Sequence, residues 1–321
     1  MTGAVNVAVV GVGYLGRIHA KIYSQSPDAN LVAVVDSNPD TAAEIGEQYG
    51  CVALNSAEEL LSNGPAIDAV SIVVPTSLHL PVSRPLLERG IHMMLEKPVA
   101  PTVEESKQLV DIADRYGVIL QVGHLERFNA GVMKLAELAT DPRFIEVHRL
   151  GEFAGRATDV DVVTDLMIHD IDIVLSLVPS GLAKVSATGT PVITDHADIA
   201  NARLEFENGA VANVTASRVS RNRFRRIRVF ARDHYLGLNF TDQQIEEVRP
   251  GEMDPATGYP SLVQRNVEVV PQLPLNAELE HFLGCVKSGS PPLVSGEDGL
   301  TAVRVADLVK QKISESMSRM S

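Results

Sequence analysis

A run of β-branched and small residues, VNVAVVG (5–11), leads directly into Gly11-Val-Gly13-Tyr14-Leu15-Gly16, and a helical pattern starts inside that turn. Few folds accept such a sequence. The first glycine suits a tight strand-to-helix turn, the second lets the backbone approach a pyrophosphate, and the third packs helix against strand. The helix N-terminus then faces the phosphates with unpaired N–H groups and a positive dipole end. Asp36 closes the next strand, LVAVVD, twenty residues after Gly16, where a carboxylate can accept bonds from an adenine-ribose diol. Ser37 and Asn38 follow it, with no arginine to balance a 2′-phosphate. The expected cofactor is therefore NAD, held by Gly11, Gly13, Tyr14, Leu15, Gly16, Asp36 and Ser37.

Further apolar runs at 69–75, 92–96 and 118–123 alternate with amphipathic helical stretches. That is the pattern of a parallel sheet covered on both faces, a doubly wound Rossmann-type α/β domain over residues 1–122. After residue 123 the pattern changes. Helices are expected at about 126–139 and 164–178 with a strand near 144–153 between them. From 183 to 248 strand-like runs dominate, joined by turns such as Glu207-Asn208-Gly209. Residues 123–321 thus read as an α+β domain with one large, mostly antiparallel sheet, closed by helices at about 276–287 and 296–318.

Composition excludes several classes. With 28 basic against 41 acidic side chains, a formal charge of -13, no Trp and 4% aromatics, a general nucleic-acid binder is not expected. No apolar run approaches the roughly 18 residues of a membrane span, and the first residues carry no basic leader. Cys51 and Cys285 lie far apart without metal-ligand spacing, so no metal is expected. A cytoplasmic protein with reduced thiols is the simplest reading.

Four groups of residues could carry chemistry. Lys97, in Glu96-Lys97-Pro98 at the carboxyl end of a strand, could stabilise a developing alkoxide, or be a solvated loop lysine. Asp165 and His169 lie four residues apart, with Asp172 one turn further on. An aspartate beside an imidazole fixes its tautomer for general-base work; the pair could equally be a surface or capping pair, or half of a metal site. His124, Glu126 and Arg127 lie in GHLERFN at the expected domain junction, touching substrate or tying structure together. Finally, Arg218, Arg221, Arg223, Arg225, Arg226, Arg228 and Arg232 form an arginine run. Most suit a solvent or subunit face of a sheet, and Arg218 is the member most expected near a ligand.

Together, GVGYLGRIHA (11–20), VVPTSLH (73–79), LEKPVAPTVEES (95–106), GHLERFN (123–129) and DLMIHDIDIVLSL (165–177) resemble the glucose–fructose oxidoreductase / inositol dehydrogenase (Gfo/Idh/MocA) family over essentially the whole chain. The resemblance implies hydride transfer between a nicotinamide cofactor and a sugar or polyol carbon, in a homodimer or homotetramer. It implies His169 as the base, tuned by Asp165. Lys97 would hold the reacting hydroxyl and the nicotinamide ribose, Glu96 would contact that ribose, and Pro75, Thr76 and His79 would line the cofactor groove. Met167 stands where many members have glycine, which bears on substrate contacts, and Ala130 replaces a frequent proline. QVGHLERFN and NGAVANVTASRVS…RRIRVFARDHYLGLNF resemble a narrower branch, the UDP-N-acetylglucosamine 3-dehydrogenases of bacterial lipopolysaccharide synthesis, whose ketone goes to a partner aminotransferase for lipid A. A diphosphate substrate calls for arginines, and Arg127, Arg156 and Arg218 are the expected ones. The other readings are a dehydrogenase of a free sugar or polyol, and a non-catalytic dinucleotide-binding sensor, which would need no Lys97, Asp165 and His169 together.

Overall fold

The computed structural model describes residues 3–155 and 160–318. The chain forms two compact units, Met1–Leu125 with Leu275–Val303, and Glu126–Pro274 with Arg304–Ser321.

In the first unit β1 (Val5–Val10), β2 (Ala29–Val35), β3 (Val52–Leu54), β4 (Ala69–Ile72), β5 (His92–Glu96) and β6 (Leu120–Gly123) make a six-stranded parallel sheet of order β3-β2-β1-β4-β5-β6. The order reverses between β1 and β4, which opens a crevice at their carboxyl ends where such sheets hold ligands. The three-residue edge strand β3 has no counterpart among the expected runs, being too short for a periodic signal. Helices α1 (Tyr14–Gln25), α2 (Pro39–Tyr49), α3 (Ala57–Asn63), α4 (His79–Leu87) and α5 (Val103–Tyr116) supply the crossovers. Their ends follow local chemistry: Thr102 caps α5 by accepting from Glu105 N–H at 3.1 Å, and Gly117 ends it at φ 64°, a left-handed position suited to glycine.

The second unit is built on β7 (Phe144–Leu150), β8 (Leu182–Thr190), β9 (Ile199–Phe206), β10 (Val211–Ser217), β11 (Phe224–Phe230), β12 (Tyr235–Asn239), β13 (Gln244–Met253) and β14 (Pro260–Val267), in the order β14-β13-β12-β11-β7-β10-β9-β8. The β7–β10 pair is parallel and the remaining pairs are antiparallel. Ala200, Ala202, Leu204 and Phe206 alternate with more exposed residues along β9, so one face of the sheet is apolar. Helices α6 (Ala130–Leu138) and α7 (Ile168–Leu177) belong to this unit. The hairpin β13–β14 went unread in the sequence, because its polar strands show little alternation with an apolar face.

Two expectations need correction. A single domain boundary at 122/123 does not describe the units, because 275–303 returns to the first. The reason is α8 (Pro274–Ser288): Leu279, Phe282, Leu283 and Val286, at i, i+3, i+4 and i+7, complete a core with Val5, Val7, Val9 and Tyr23. Phe282 is fully buried there, a contribution of about 1.5–3 kcal/mol for one side chain. Secondly, the helix expected over 164–178 begins as a π-helical turn, Val163–Met167, before α7. The last helix, α9 (Gly296–Met317), lies where expected.

Candidate active site

The glycine turn in the first unit has the geometry its spacing implies. A Cβ on Gly16 would lie 1.8 Å from the Gly11 carbonyl oxygen, and one on Gly11, at φ 86°, would meet Val73 O at 2.6 Å. Both are required by the fold. Gly13 differs: a Cβ there would meet nothing within 4 Å. The second glycine therefore keeps open space beside the first turn of α1, which has no side-chain cap and contains no acidic residue. An uncapped N-terminus with open approach fits a pyrophosphate. The carboxylate of Asp36 accepts from Val12 N–H and from Asn38 N–H, each at 2.9 Å, which fixes it at the carboxyl end of β2. Gly11, Gly13, Asp36, Ser37 and Pro75 border a cleft of about 350 Å³, with no arginine or lysine among its lining residues. Tyr14 is exposed and Leu15 half-buried in the first turn of α1, and Thr76 is half-buried in the short turn Thr76–Leu78.

His79 is held by backbone on both sides. It is 1% exposed, with Nδ1 3.1 Å from Val99 O and Nε2 3.1 Å from Val74 O. Its ring ties together the backbone after β4 and the backbone after Lys97-Pro98. Burial pushes its pKa below the usual imidazole range, against the pull of the two carbonyls.

Glu96 ends β5 and Lys97 follows it, both half-buried. Glu96 Oε2 accepts from Lys97 N–H at 3.3 Å, and a Cβ on Gly123, its neighbour in β6, would come within 2.9 Å of that oxygen. Glycine at 123 thus leaves room for the carboxylate. A buried chain of polar groups stands behind it. The Tyr23 hydroxyl lies 2.8 Å from Ser71 Oγ, Ser71 Oγ 3.2 Å from His19 Nδ1, and His19 Nε2 3.3 Å from Glu96 Oε1. One direction satisfies the network: Tyr23 donates to Ser71 and Ser71 donates to Nδ1, leaving N–H on Nε2. That last contact is electrostatic rather than a straight hydrogen bond. Nothing but the position of His19 on the inner face of α1 marked this support in the sequence.

In the second unit, Asp165 sits in the π-helical turn and His169 in the first turn of α7, both half-buried. They do not lie on one uniform α-helical face with Asp172. Asp172 is buried and its Oδ1 takes Arg127 Nη1 at 3.4 Å, so Arg127 is engaged by a carboxylate. Asp170, beside His169, is fully buried and receives Arg149 in a fork, Nε to Oδ2 at 2.9 Å and Nη2 to Oδ1 at 2.7 Å. Arg149 Nη1 also donates to Glu126 Oε1 at 2.8 Å, and its guanidinium lies 5.2 Å from the Phe240 ring centre. Burial works against the charge on Arg149, but Asp170 and Glu126 outweigh it and hold the group firmly cationic. Arg149 escaped the sequence reading because its partners lie 21 and 23 residues away, though an arginine in phase with Ile145 and Val147 in β7 is a signal of burial. Met167 is fully buried and packs in the core.

Arg218 is likewise engaged. It donates to Asp198 Oδ1 at 2.8 Å, to Val160 O at 2.8 Å and to Thr194 Oγ1 at 3.0 Å. Burial pushes the Asp198 carboxyl up, but the N–H groups of Ile193, Thr194 and Val192, together with Arg218, hold it far below the ordinary range. Arg218 thus anchors the 192–198 loop. His124 is buried at the end of β6, and Arg156 lies outside the described residues. Among the described residues no group of His, Cys, Asp and Glu could hold a metal ion, and no helix is long and apolar enough to cross a membrane.

Residues 5–124 match the model of the oxidoreductase family with an NAD-binding Rossmann fold, and residues 139–236 match the Gfo/Idh/MocA C-terminal domain. The chain belongs to the Gfo/Idh/MocA oxidoreductase family. As a member it is an NAD-dependent oxidoreductase, and the glycine turn, Asp36 and the cleft beside them fit that cofactor. It is 35% identical over 312 residues to a UDP-N-acetylglucosamine 3-dehydrogenase of Acidithiobacillus ferrooxidans, covering 97% of this chain and 98% of the relative. A solved structure of that name from the same organism superposes with a TM-score of 0.90 at 34% identity, covering 97% of each chain. A scyllo-inositol 2-dehydrogenase (NAD(+)) of Bacillus subtilis is 28% identical, covering 95% of this chain and 93% of the relative.

Proposed function

We propose that this enzyme oxidises the C3 hydroxyl of UDP-N-acetylglucosamine to the 3-keto sugar nucleotide. The observation that carries the reading is the whole-length likeness to the A. ferrooxidans 3-dehydrogenase, in both sequence and backbone. NAD, when bound, supplies the hydride acceptor. His169 takes the hydroxyl proton on a ring nitrogen, and Asp165 orients that ring. The ammonium of Lys97 stabilises negative charge growing on the substrate oxygen. Glu96, braced by His19, sets the end of β5 from which Lys97 projects. The product ketone is a substrate for an aminotransferase making a 3-amino sugar of the lipid A kind, with the enzyme acting as a cytoplasmic homodimer or homotetramer.

The test is NADH absorbance with UDP-N-acetylglucosamine, beside myo-inositol and free N-acetylglucosamine, with a carbonyl trap to draw an uphill oxidation forward. NADH from the sugar nucleotide alone supports the reading. Signal from a free polyol alone overturns it in favour of the activity named for the inositol relatives. His169→Asn should lower turnover about a hundredfold or more with NAD affinity unchanged, the usual scale for a general base.

A further inference from the structure

Arg127, Arg149, Arg218, Arg226 and Arg228 have anionic partners within the second unit: Arg127 on Asp172, Arg149 on Asp170 and Glu126, Arg218 on Asp198, Arg226 on Glu246, and Arg228 on Glu146. Arg225 stands apart. In β11 it pairs directly with Arg149 of β7, and it shares the face of Ile227 and Val229, although at its end of the strand Arg225 is itself exposed. Like charges placed directly opposite in a sheet repel. Among the described residues no carboxylate lies within salt-bridge distance of Arg225 or of Arg223 two residues before it. Burial and Arg149 disfavour the charge on Arg225, Glu126 and Asp170 offset this only in part, and Arg223 adds further repulsion. Both residues border a cleft of about 650 Å³, a volume suited to a ligand, whose lining includes Asn239 and Gln244 as well as two carboxylates, Glu246, which pairs with Arg226, and Asp242, which accepts from Asn239. The anions that hold Arg149 include Asp170, the residue next to His169 in α7, so Arg225 lies within electrostatic reach of the helix that carries the candidate base.

We infer that Arg225, assisted by Arg223, is the seat of the substrate's diphosphate. Two neighbouring guanidinium groups that hold no carboxylate among the described residues match a group with two negative phosphates and several acceptor oxygens. This rests on the sugar-nucleotide reading and moves the diphosphate contact away from Arg127 and Arg218.

Calorimetric titration of the NAD-loaded full-length protein with UDP, and separately with UMP, tests it. Arg225→Gln should weaken UDP binding about tenfold to a hundredfold, the scale of one or two charge-assisted bonds, and should shrink the preference for UDP over UMP. Arg223→Gln should act in the same direction by a smaller factor, and Arg225→Lys should recover part of the loss. Arg203→Gln, an equal charge change on an exposed residue paired with Glu205, should leave UDP binding alone. UDP binding by Arg225→Gln equal to the parent's overturns the inference and leaves the sugar-nucleotide reading standing. A parent that binds neither UDP nor UDP-N-acetylglucosamine, yet reduces NAD with a polyol, overturns both. Should Arg225→Gln fail to fold, Arg223→Gln decides: unchanged UDP and UMP affinities in that variant count against the assignment.

Discussion

The glycine turn of the first unit and the arginines of the second bind by opposite means. In the turn, binding capacity comes from backbone: glycines clear space, and N–H groups at the start of α1 stay open. In the second unit, charged side chains are chiefly used against one another, and Arg127, Arg149 and Arg218 each hold a carboxylate. A backbone site is written in consecutive residues, whereas a side-chain network is written in pairs separated by tens of residues. The first can be read in one line of sequence; the second needs the fold.

The sharpest break in this contrast would come from Arg149. Arg149→Met leaves Asp170 buried without its fork, so stability should fall by about 3–5 kcal/mol, measured by urea unfolding. Adding Asp170→Asn should recover part of the loss, and NAD affinity of the folded fraction should not move. No stability loss would mean that the network is not structural.

The glycines allow a finer cut. Gly16→Ala must displace backbone at Gly11, so it should cost about 1–3 kcal/mol. Gly13→Ala should leave the melting temperature unchanged and weaken NAD about tenfold, because only the ligand meets the new methyl. Equal melting temperatures for the two variants would dissolve the distinction between fold glycine and ligand glycine.

The smallest effect concerns pH. His79 has a folded pKa below its unfolded value, so the unfolded chain binds more protons as pH falls below about 6.5. Its stabilising effect is full above that pH and is lost on acidification, with a slope of at most about 1.4 kcal/mol per pH unit for one proton. His79→Asn should flatten the melting temperature between pH 7 and 5.5 relative to the parent. An unchanged profile would show that other histidines carry the acid sensitivity.

These cases mark where sequence reading succeeds. The parallel character of the first sheet, the glycine turn, the position of Asp36 after β2 and that of Lys97 after β5 follow from local periodicity and spacing, and the structure places them as read. Periodicity also gave the antiparallel character of the second sheet. It could not show that the stretch around Asp165 is π-helical, since the apolar pattern of DLMIHDIDIVLSL fits a continuous α-helix equally well. Nor could it show that Arg218 faces Asp198, 20 residues back across the β9–β10 pair, or that His79 turns inward to two carbonyls. Arg218 and His79 each have partners within the protein that no short stretch of sequence could show.

The return of 275–303 to the first unit has a consequence for how the protein is made. The core around Val5, Val7, Val9 and Tyr23 is closed by Leu279, Phe282, Leu283 and Val286. During synthesis the nucleotide-binding half therefore waits, its sheet partly uncovered, until nearly the whole chain has left the ribosome. A fragment ending at residue 125 would show this apolar surface to solvent and aggregate, while the same fragment mixed with a peptide carrying 274–303 should regain solubility.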